Sequence, residues 1–174
     1  RRVIAVGQRG EAEFRFPKPT HGAEGARAWV PAGSVVDPFV PLGPPSRVKI
    51  TYARRPDPRP SPYDGHLFNG GGRPIDLARP APTLLASMGG NKTPWLDVLG
   101  IVPGYHARLL AGEAPREGEV EGARRLTVAE TAVLQSFRKR HAFHGRSSSQ
   151  YRQIGNAVPP LLARRIGRAL AAQF

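Results

Sequence analysis

Two polar stretches of the sequence carry groups that suit an anionic or polar ligand. Ser87–Lys92 combines two consecutive glycines with an amide and a lysine, and glycine lets the backbone come close to phosphates or base edges. Gly155-Asn156 predicts a tight turn ahead of a helix, where backbone amides and the Asn156 side chain could meet a polar ligand. On local chemistry alone, an ordinary hairpin turn and a plain helix start explain the same two patterns.

These groups need elements that hold them in place. Leu162, Ile166 and Leu170 recur at intervals of four and predict an amphipathic helix, with Pro159-Pro160 in its first turn. Thr83–Ala86 predicts a short strand that ends in the stretch Ser87–Lys92, which we call the glycine loop.

A second helix is predicted between the two polar stretches. Thr127 with Glu130 three residues later forms a capping box, so a helix should begin at Val128. Ala129, Val133 and Phe137 recur at intervals of four and predict its buried face.

The first 122 residues are rich in loops and short strands. Val3–Val6 predicts a strand buried on both faces, and Phe14–Phe16 predicts a half-exposed one. Residues 35–40 and 48–52 fit either short strands or elements around turns, and Gly104–Gly122 is typical of a charged connector. Arg54–Pro62 is basic and rich in proline, which fits either an extended linker or a DNA-facing arm.

Composition narrows the classes of function. The 174 residues carry a net charge of +13, which favours a polyanionic partner, with nucleic acid ahead of an anionic membrane. No apolar run approaches the ~20 residues of a membrane span, and no secretory signal opens the sequence; we therefore predict a cytoplasmic, DNA-associated protein. The absence of cysteine excludes disulfides, thiolate metal sites and a thiol nucleophile in this chain. His141 and His144 lack convergent carboxylates, so we expect no metal.

Three separated blocks, residues 1–21, 73–94 and 124–170, resemble the DNA (cytosine-5)-methyltransferases, and they occur in that family's order. Gln153–Pro160, with its Tyr151-Arg152 lead-in, resembles the last sequence block that the family shares. Residues 1–21 resemble the arginine, apolar strand and Phe-x-Phe-Pro-x-Pro-Thr-His run. Residues 73–94 resemble the target-recognition region. Arg124–Phe137 resembles the helix beside that region, although Arg138 stands where the family usually has proline.

The resemblance implies an α/β fold: the C-terminal part of a methyltransferase sheet that binds S-adenosylmethionine, with a small, loop-rich, mostly β target-recognition domain inserted. Residues 1–21 would be a strand and connector of the catalytic domain, 22–122 the recognition domain, and 123–174 the helices that return to the catalytic domain.

The resemblance also implies roles for individual residues. Arg2 would bind the flipped-out cytosine as charge develops on the ring. Asn156, Ala157 and Val158 would edge the cofactor site. The residues expected to contact double-stranded DNA are Thr83, Ser87, Gly89, Gly90, Asn91, Lys92, Arg146 and Arg152.

The family blocks that bear the cofactor glycines, the Pro-Cys nucleophile and the Glu-Asn-Val sequence have no counterpart here. In the family a cysteine attacks carbon 6 of cytosine and carbon 5 takes the methyl group. The chain alone is therefore predicted to be inactive, with an N-terminal catalytic half as its partner. The alternative is a stand-alone basic DNA-binding module without a catalytic role. A general RNA-binding protein is disfavoured because few aromatics are present for base stacking.

Overall fold

The computed structural model describes residues 4–7, 13–55, 57, 59–61, 63, 65–67 and 72–173. In this part of the chain, the regular elements lie mostly after residue 90. The helices are α1 (Ile101–Leu110), α2 (Val128–Leu134), α3 (Ser147–Asn156) and α4 (Pro160–Ala171), and the strands are β1 (Trp95–Leu96) and β2 (Arg124–Arg125). Two short 3-10 helices span Ala32–Ser34 and Gly90–Lys92.

The two strands form one antiparallel pair. Trp95 lies opposite Arg125 and Leu96 opposite Arg124, and Pro74 adds a single parallel bridge to Trp95. Within the described part of residues 22–122, the remaining sheet pairing consists of isolated bridges. The expectation of a mostly β region is therefore not met there. Proline explains much of this difference, because each of the 19 prolines lacks the N–H that a ladder requires.

None of the predicted strands forms where the structure describes it, and residues 35–40 follow their alternative as an element around a turn, in which the Asp37 carboxylate accepts from the N–H groups of Phe39 and Val40. Residues 4–7, 13–16, 35–40 and 83–85 have no regular structure that pairs them into a sheet, and the turn at Ala86-Ser87 follows directly. Residues 48–52 form only one bridge, between Thr51 and Glu119. A strand needs a neighbouring backbone to bond to, and the apolar alternation that predicts a strand does not supply that neighbour.

The core is built around the β1–β2 pair. Leu96 and Leu126 pack with Ile75 on one side, while Trp95 packs with Val102 and other residues in a second cluster. A third cluster, formed by Leu84, Met88 and Tyr151, joins the segment before the glycine loop to α3. The residues that carry the predicted site thus rest directly on the core.

Helix α2 begins at Val128, as the capping box predicts. The Thr127 hydroxyl accepts from the Glu130 N–H at 3.0 Å, and the Glu130 carboxylate accepts from the Thr127 N–H at 2.8 Å. The predicted buried face is wrong, because Glu130, Thr131 and Ala132 are the buried residues of this helix. A buried ion pair on Glu130 turns the polar side of the helix inward, which apolar periodicity cannot indicate.

The predicted turn at Gly155-Asn156 is also wrong, because both residues end helix α3. The predicted helix with Pro160 in its first turn is confirmed as α4, whose start Pro159 caps. Gly155 is needed for contact rather than for a turn. A Cβ there would lie 2.5 Å from the Ala86 nitrogen and 2.6 Å from the Leu85 carbonyl carbon.

Residues 104–122 are not a simple connector, because α1 occupies Ile101–Leu110. Asp97 starts this helix: its two carboxylate oxygens accept from the N–H groups of Ile101 (2.9 Å) and Val102 (2.7 Å). The cap stands farther from the helix than the usual N-cap position, and Pro103 and Gly104 lower the apparent helix propensity. Both features hide α1 from sequence reasoning.

Helix α1 carries a buried histidine. His106 is only 3% exposed, and its Nδ1 accepts a hydrogen bond from the Leu67 N–H at 2.9 Å. Burial, with a smaller contribution from nearby His66, lowers the pKa of His106 below its usual 6.5. The folded chain therefore favours the neutral ring with its proton on Nε2.

Acidification should destabilise the chain through His106. Its pKa is lower in the folded state, so the unfolded state binds more protons, and the free energy of unfolding falls as the pH drops below about 6.5. Urea denaturation at a series of pH values should show this loss, and His106→Asn should make the pH dependence shallower. An unchanged pH dependence in the variant would contradict the assignment.

Candidate functional site

The glycine loop predicted to approach DNA is held from within the core. Gly89 and Gly90 adopt φ values of 128° and 57°, which glycine accepts readily. The buried Arg125 guanidinium donates to the carbonyls of Asn91 (3.0 Å) and Thr93 (2.8 Å). The loop is therefore a fixed platform with Asn91 and Lys92 exposed at its surface.

The largest cleft near the predicted site lies between this loop and the start of α3. We call it the serine cleft, with a volume of about 720 Å³. Among the described residues, its lining holds two cationic side chains and no carboxylate. The polar and glycine residues that line it are Ser46, Arg47, Gly89, Gly90, Gly145, Arg146, Ser147, Ser148, Gln150 and Tyr151.

Tyr151 forms part of the inner wall of the serine cleft. Its hydroxyl donates to the Leu126 carbonyl at 2.7 Å, and the ring packs in the core with Leu84 and Met88. Burial, and secondarily the charge of Glu130, raise the pKa of Tyr151 to about 12. The phenol therefore remains a neutral hydrogen-bond donor that anchors α3 under the cleft.

The outer wall of the serine cleft, residues 44–48, is fixed by a buried ion pair. The Arg124 guanidinium donates to both Glu130 oxygens, at 2.9 and 2.7 Å, and also to the carbonyl of Pro38. Glu130 accepts from the Leu42 N–H at 3.1 Å, and the Thr127 hydroxyl donates to the Leu42 carbonyl. This clamp ties the segment that leads to Arg47 onto α2.

The structure brings together only some of the residues predicted to contact DNA. Gly89, Gly90 and Arg146 line the serine cleft. Ser87, Asn91, Lys92 and Arg152 are exposed but lie outside its lining, and Thr83 lines a different groove.

That second feature, the apolar groove, has a volume of about 590 Å³. It brings together three stretches that are far apart in sequence. Ile4 comes from the N-terminal stretch, Thr83 and Leu85 from the recognition stretch, and Gly155 and Leu162 from α3 and α4. Arg2 lies outside the described residues, two positions before Ile4.

The residues predicted to edge the cofactor site lie where α3 ends. The Gln135 side chain donates to the carbonyl of Ala157 (3.0 Å) and to that of Ile154 (3.3 Å), which also accepts from the Ala157 N–H at 3.2 Å. Asn156 and Val158 are exposed on either side of half-buried Ala157. Asn156 thus presents a side-chain amide at a helix end that α2 holds in position.

Helix α4 buries none of its residues fully against the described chain. Leu161 is 62% exposed and Leu162 42% exposed, while Ile166 and Leu170 are half-buried. The end of the helix is tied down elsewhere: the Gln173 side chain makes two hydrogen bonds to the Arg15 backbone, at 2.8 and 2.9 Å.

The described ranges contain neither a helix that could span a membrane nor a group of side chains that could hold a metal ion. None of their helices combines the length and apolarity needed to cross a membrane. They also contain no group of three or more His, Cys, Asp or Glu side chains arranged to hold a metal ion.

Comparison with known proteins decides the family. The model of a family described as C-5 cytosine-specific DNA methylase matches residues 86–172, half of the 174-residue chain. This chain belongs to that family. The match runs from the start of the glycine loop through α4, so it includes the lining of the serine cleft apart from residues 44–48 and half of the residues that line the apolar groove.

Curated relatives agree with the family model and confirm the resemblance. Type II methyltransferase M1.HphI of Haemophilus parahaemolyticus is 28% identical over 171 residues, which cover 97% of this chain and 42% of the relative. Type II methyltransferase M.SacI of Streptomyces achromogenes is 32% identical over 201 residues, covering 100% of this chain and 48% of the relative. The chain thus spans less than half the length of these relatives. C-5 DNA methyltransferases as a family use S-adenosylmethionine and act on DNA.

Sequence reasoning missed Arg47 and Ser148 of the serine cleft. Arg47 lies in a stretch without periodic pattern, so only its position in the lining of the serine cleft reveals it. One available signal was overlooked: residues 131–174 contain no Asp or Glu and supply eight of the net +13 charges. The cationic residues in that stretch are Arg138, Lys139, Arg140, Arg146, Arg152, Arg164, Arg165 and Arg168.

Proposed function

We propose that this chain is the C-terminal region of a DNA (cytosine-5-)-methyltransferase, which supplies target recognition and part of the cytosine and cofactor pockets. The apolar groove is the observation that carries the proposal. It joins the stretches that contain Arg2, Thr83 and Asn156, although these residues are separated by tens of positions. A cytosine-5 methyltransferase needs these three stretches at one pocket.

The serine cleft supports DNA contact by the same chain. Arg47 and Arg146 can neutralise phosphates, and serine hydroxyls can donate to phosphate oxygens. Gly89 and Gly90 leave room for a close backbone approach. Ser87, Asn91 and Lys92 form the exposed end of the same loop, where base edges would be read, and Thr83 and Arg152 would contact the flanking backbone.

The residues at the end of α3 fit the rim of a cofactor site. Asn156 offers an amide donor and acceptor, and Val158 offers exposed apolar surface, 42% accessible. S-adenosylmethionine, when bound, supplies the methyl group. We assign Asn156, Ala157 and Val158 to orienting that molecule, and Gln135 to holding their backbone.

Arg2 is assigned to the target cytosine. Its guanidinium would donate to the carbonyl edge of the flipped base and stabilise charge that develops on the ring. The 174 residues contain no cysteine, so they cannot form the covalent adduct at carbon 6. The chain alone is therefore expected to be inactive.

The exposed apolar side chain of Leu162, which lines the apolar groove, is assigned to contact with the cysteine-bearing half. The relatives M1.HphI and M.SacI are more than twice as long as the matched region, which is consistent with a missing half. That half lies either on a longer chain or on a separate subunit.

Reconstitution tests this proposal. The chain mixed with the cysteine-bearing half, labelled S-adenosylmethionine and duplex DNA should transfer labelled methyl groups to cytosine, whereas either half alone should not. Arg2→Ala should lower the rate of methyl transfer by about 10²–10³-fold, the usual loss when one stabilising donor is removed. The affinity for DNA should be largely kept. Arg1→Ala is the matched control and should remain active.

Three outcomes would overturn the assignment. No transfer by a folded, mixed pair would refute the pairing. Equal loss of transfer and DNA binding in Arg2→Ala would give Arg2 a structural role instead. Methyl transfer to DNA by the chain alone would also contradict the proposal.

The serine cleft and the net charge of +13 also fit a stand-alone DNA-binding module. That function predicts salt-sensitive and largely sequence-indifferent binding by the isolated chain. It also predicts that adding the cysteine-bearing half changes neither affinity nor sequence preference.

A further inference from the structure

A strained residue joins the end of α2 to the start of α4. Ser136 has a φ of 66°, and it is the one non-glycine residue with positive φ in the described part of the chain. This conformation costs an L-residue about 1–2 kcal/mol. In return, the Ser136 hydroxyl accepts from the Leu161 N–H at 3.2 Å and thus fixes α4 against the loop that follows α2.

This junction forms one side of a second cationic cleft, the arginine cleft, with a volume of about 580 Å³. Arg138 and Arg140 come from the loop after α2, and Arg164 comes from the second turn of α4. His141 and Phe137 also line it. The residues that line the arginine cleft include none of those assigned above to DNA contact or to cofactor binding.

Aromatic packing holds the loop of the arginine cleft in a compact shape. The Phe137 ring lies 4.9 Å from the His141 ring and 5.0 Å from the Phe143 ring, and His141 lies 4.7 Å from Phe143. The His141 N–H also donates to the Arg138 carbonyl at 2.9 Å. The loop that carries Arg138 and Arg140 is therefore compact, and it lines the arginine cleft together with α4.

The positive charge of the arginine cleft is not neutralised locally. Residues 131–174 contain no Asp or Glu. The ion pairs seen among the described residues involve neither the loop arginines nor Arg164. Like charges held near one another repel, so an anion in the cleft would lower the electrostatic free energy.

We propose that the arginine cleft binds a phosphodiester group of the DNA backbone, at a contact separate from the serine cleft. Guanidinium groups form paired, charge-assisted hydrogen bonds with phosphate oxygens. The two clefts lie at opposite ends of α3, because Arg146 precedes its start and Gln135-Ser136 packs at its end. Ten helical residues separate them by about 15 Å, so one duplex could contact both. The inference rests on the proposed DNA binding by this chain.

Salt-dependent DNA binding tests the inference with two variants of equal charge. The cleft variant is Arg138→Gln with Arg164→Gln, and the control is Arg116→Gln with Arg168→Gln. Each pair removes one loop arginine and one α4 arginine, and Arg116 and Arg168 are exposed outside the cleft. For the cleft variant, the slope of log affinity against log salt should fall by about one, since each phosphate contact contributes about 0.9.

The cleft variant should also lose roughly tenfold or more in DNA affinity, as expected for hydrogen bonds between charged groups. The control should lose less than about twofold, because it changes only the general field. Thermal unfolding should be unchanged in both variants, since all four arginine side chains lie at the surface.

The other possible results distinguish failure of this inference from failure of the proposed methyltransferase function. Equal losses in both variants, or no loss in the cleft variant, would overturn the inference and leave the proposed methyltransferase function intact. Saturable binding of inorganic phosphate that only the cleft variant loses, with DNA affinity unchanged, would assign the cleft to a free anion and also overturn it. A wild-type chain that binds no DNA, either alone or together with the cysteine-bearing half, would refute both proposals. Cleft-dependent DNA binding without methyl transfer in the reconstituted enzyme would refute only the proposed function.

Discussion

Glu130→Ala is expected to lower the free energy of unfolding by about 3–5 kcal/mol, the usual cost of removing one partner from a buried ion pair. The Glu130 side chain is only 1% exposed. It accepts from the Arg124 guanidinium at 2.7 and 2.9 Å, from the Leu42 N–H at 3.1 Å and from the Thr127 N–H at 2.8 Å. Alanine would leave the arginine charge and two backbone donors without this acceptor.

Glu119→Ala is the matched control for this prediction. Glu119 pairs with Lys49 at 2.7 Å, but the two side chains are 44% and 61% exposed. Solvent screens such a pair, so the loss should stay below about 1 kcal/mol. Urea denaturation of both variants measures the difference, and equal losses would show that the buried clamp adds nothing beyond a surface ion pair.

The clamp also predicts an effect on the site. Arg124 and Glu130 hold residues 37–42, and this segment leads into the wall of the serine cleft that carries Arg47. Loss of the clamp should therefore reduce DNA affinity at temperatures where the variant is still folded. Glu119→Ala should bind DNA as the wild type does.

Gly155→Ala should destabilise the chain by about 1–3 kcal/mol, the usual range for overpacking a well-packed site. We expect the upper end of this range, because the added Cβ would meet backbone atoms rather than a flexible side chain. It would lie 2.5 Å from the Ala86 nitrogen and 2.6 Å from the Ala86 Cα. Relief requires α3 to move away from the segment that leads into the glycine loop.

Gly167→Ala in α4 is the opposite case on a neighbouring helix. Nothing lies within 4 Å of a Cβ at that position. Alanine is a better helix former than glycine, so this variant should gain about 0.5–1 kcal/mol. Opposite signs for the two substitutions in denaturation experiments would support the close contact at Gly155. Stabilisation by both would contradict it.

Local signals predicted some elements correctly and others not at all. The capping box at Thr127 and Glu130 predicted the start of α2, because both partners lie within one helical turn. Pro160 predicted the first turn of α4, because its fixed φ suits a helix start and its missing N–H leaves no helical bond unmade there. Helix α1 was missed, because its N–H groups are capped by Asp97 from outside the helix. The Gly155-Asn156 turn was wrong because long-range contact, not backbone conformation, requires glycine there.

The sequence by itself determined the family, the excess of positive charge and the lack of a thiol nucleophile, because these depend only on residue identity and short-range order. Tertiary structure alone decided which residues share a surface. Arg47 joins Arg146 because a buried ion pair fixes its loop onto α2, and Arg138 joins Arg164 because Ser136 bonds to the start of α4. These two pairs share a cleft although their members are 99 and 26 positions apart, and no local periodicity encodes such proximity.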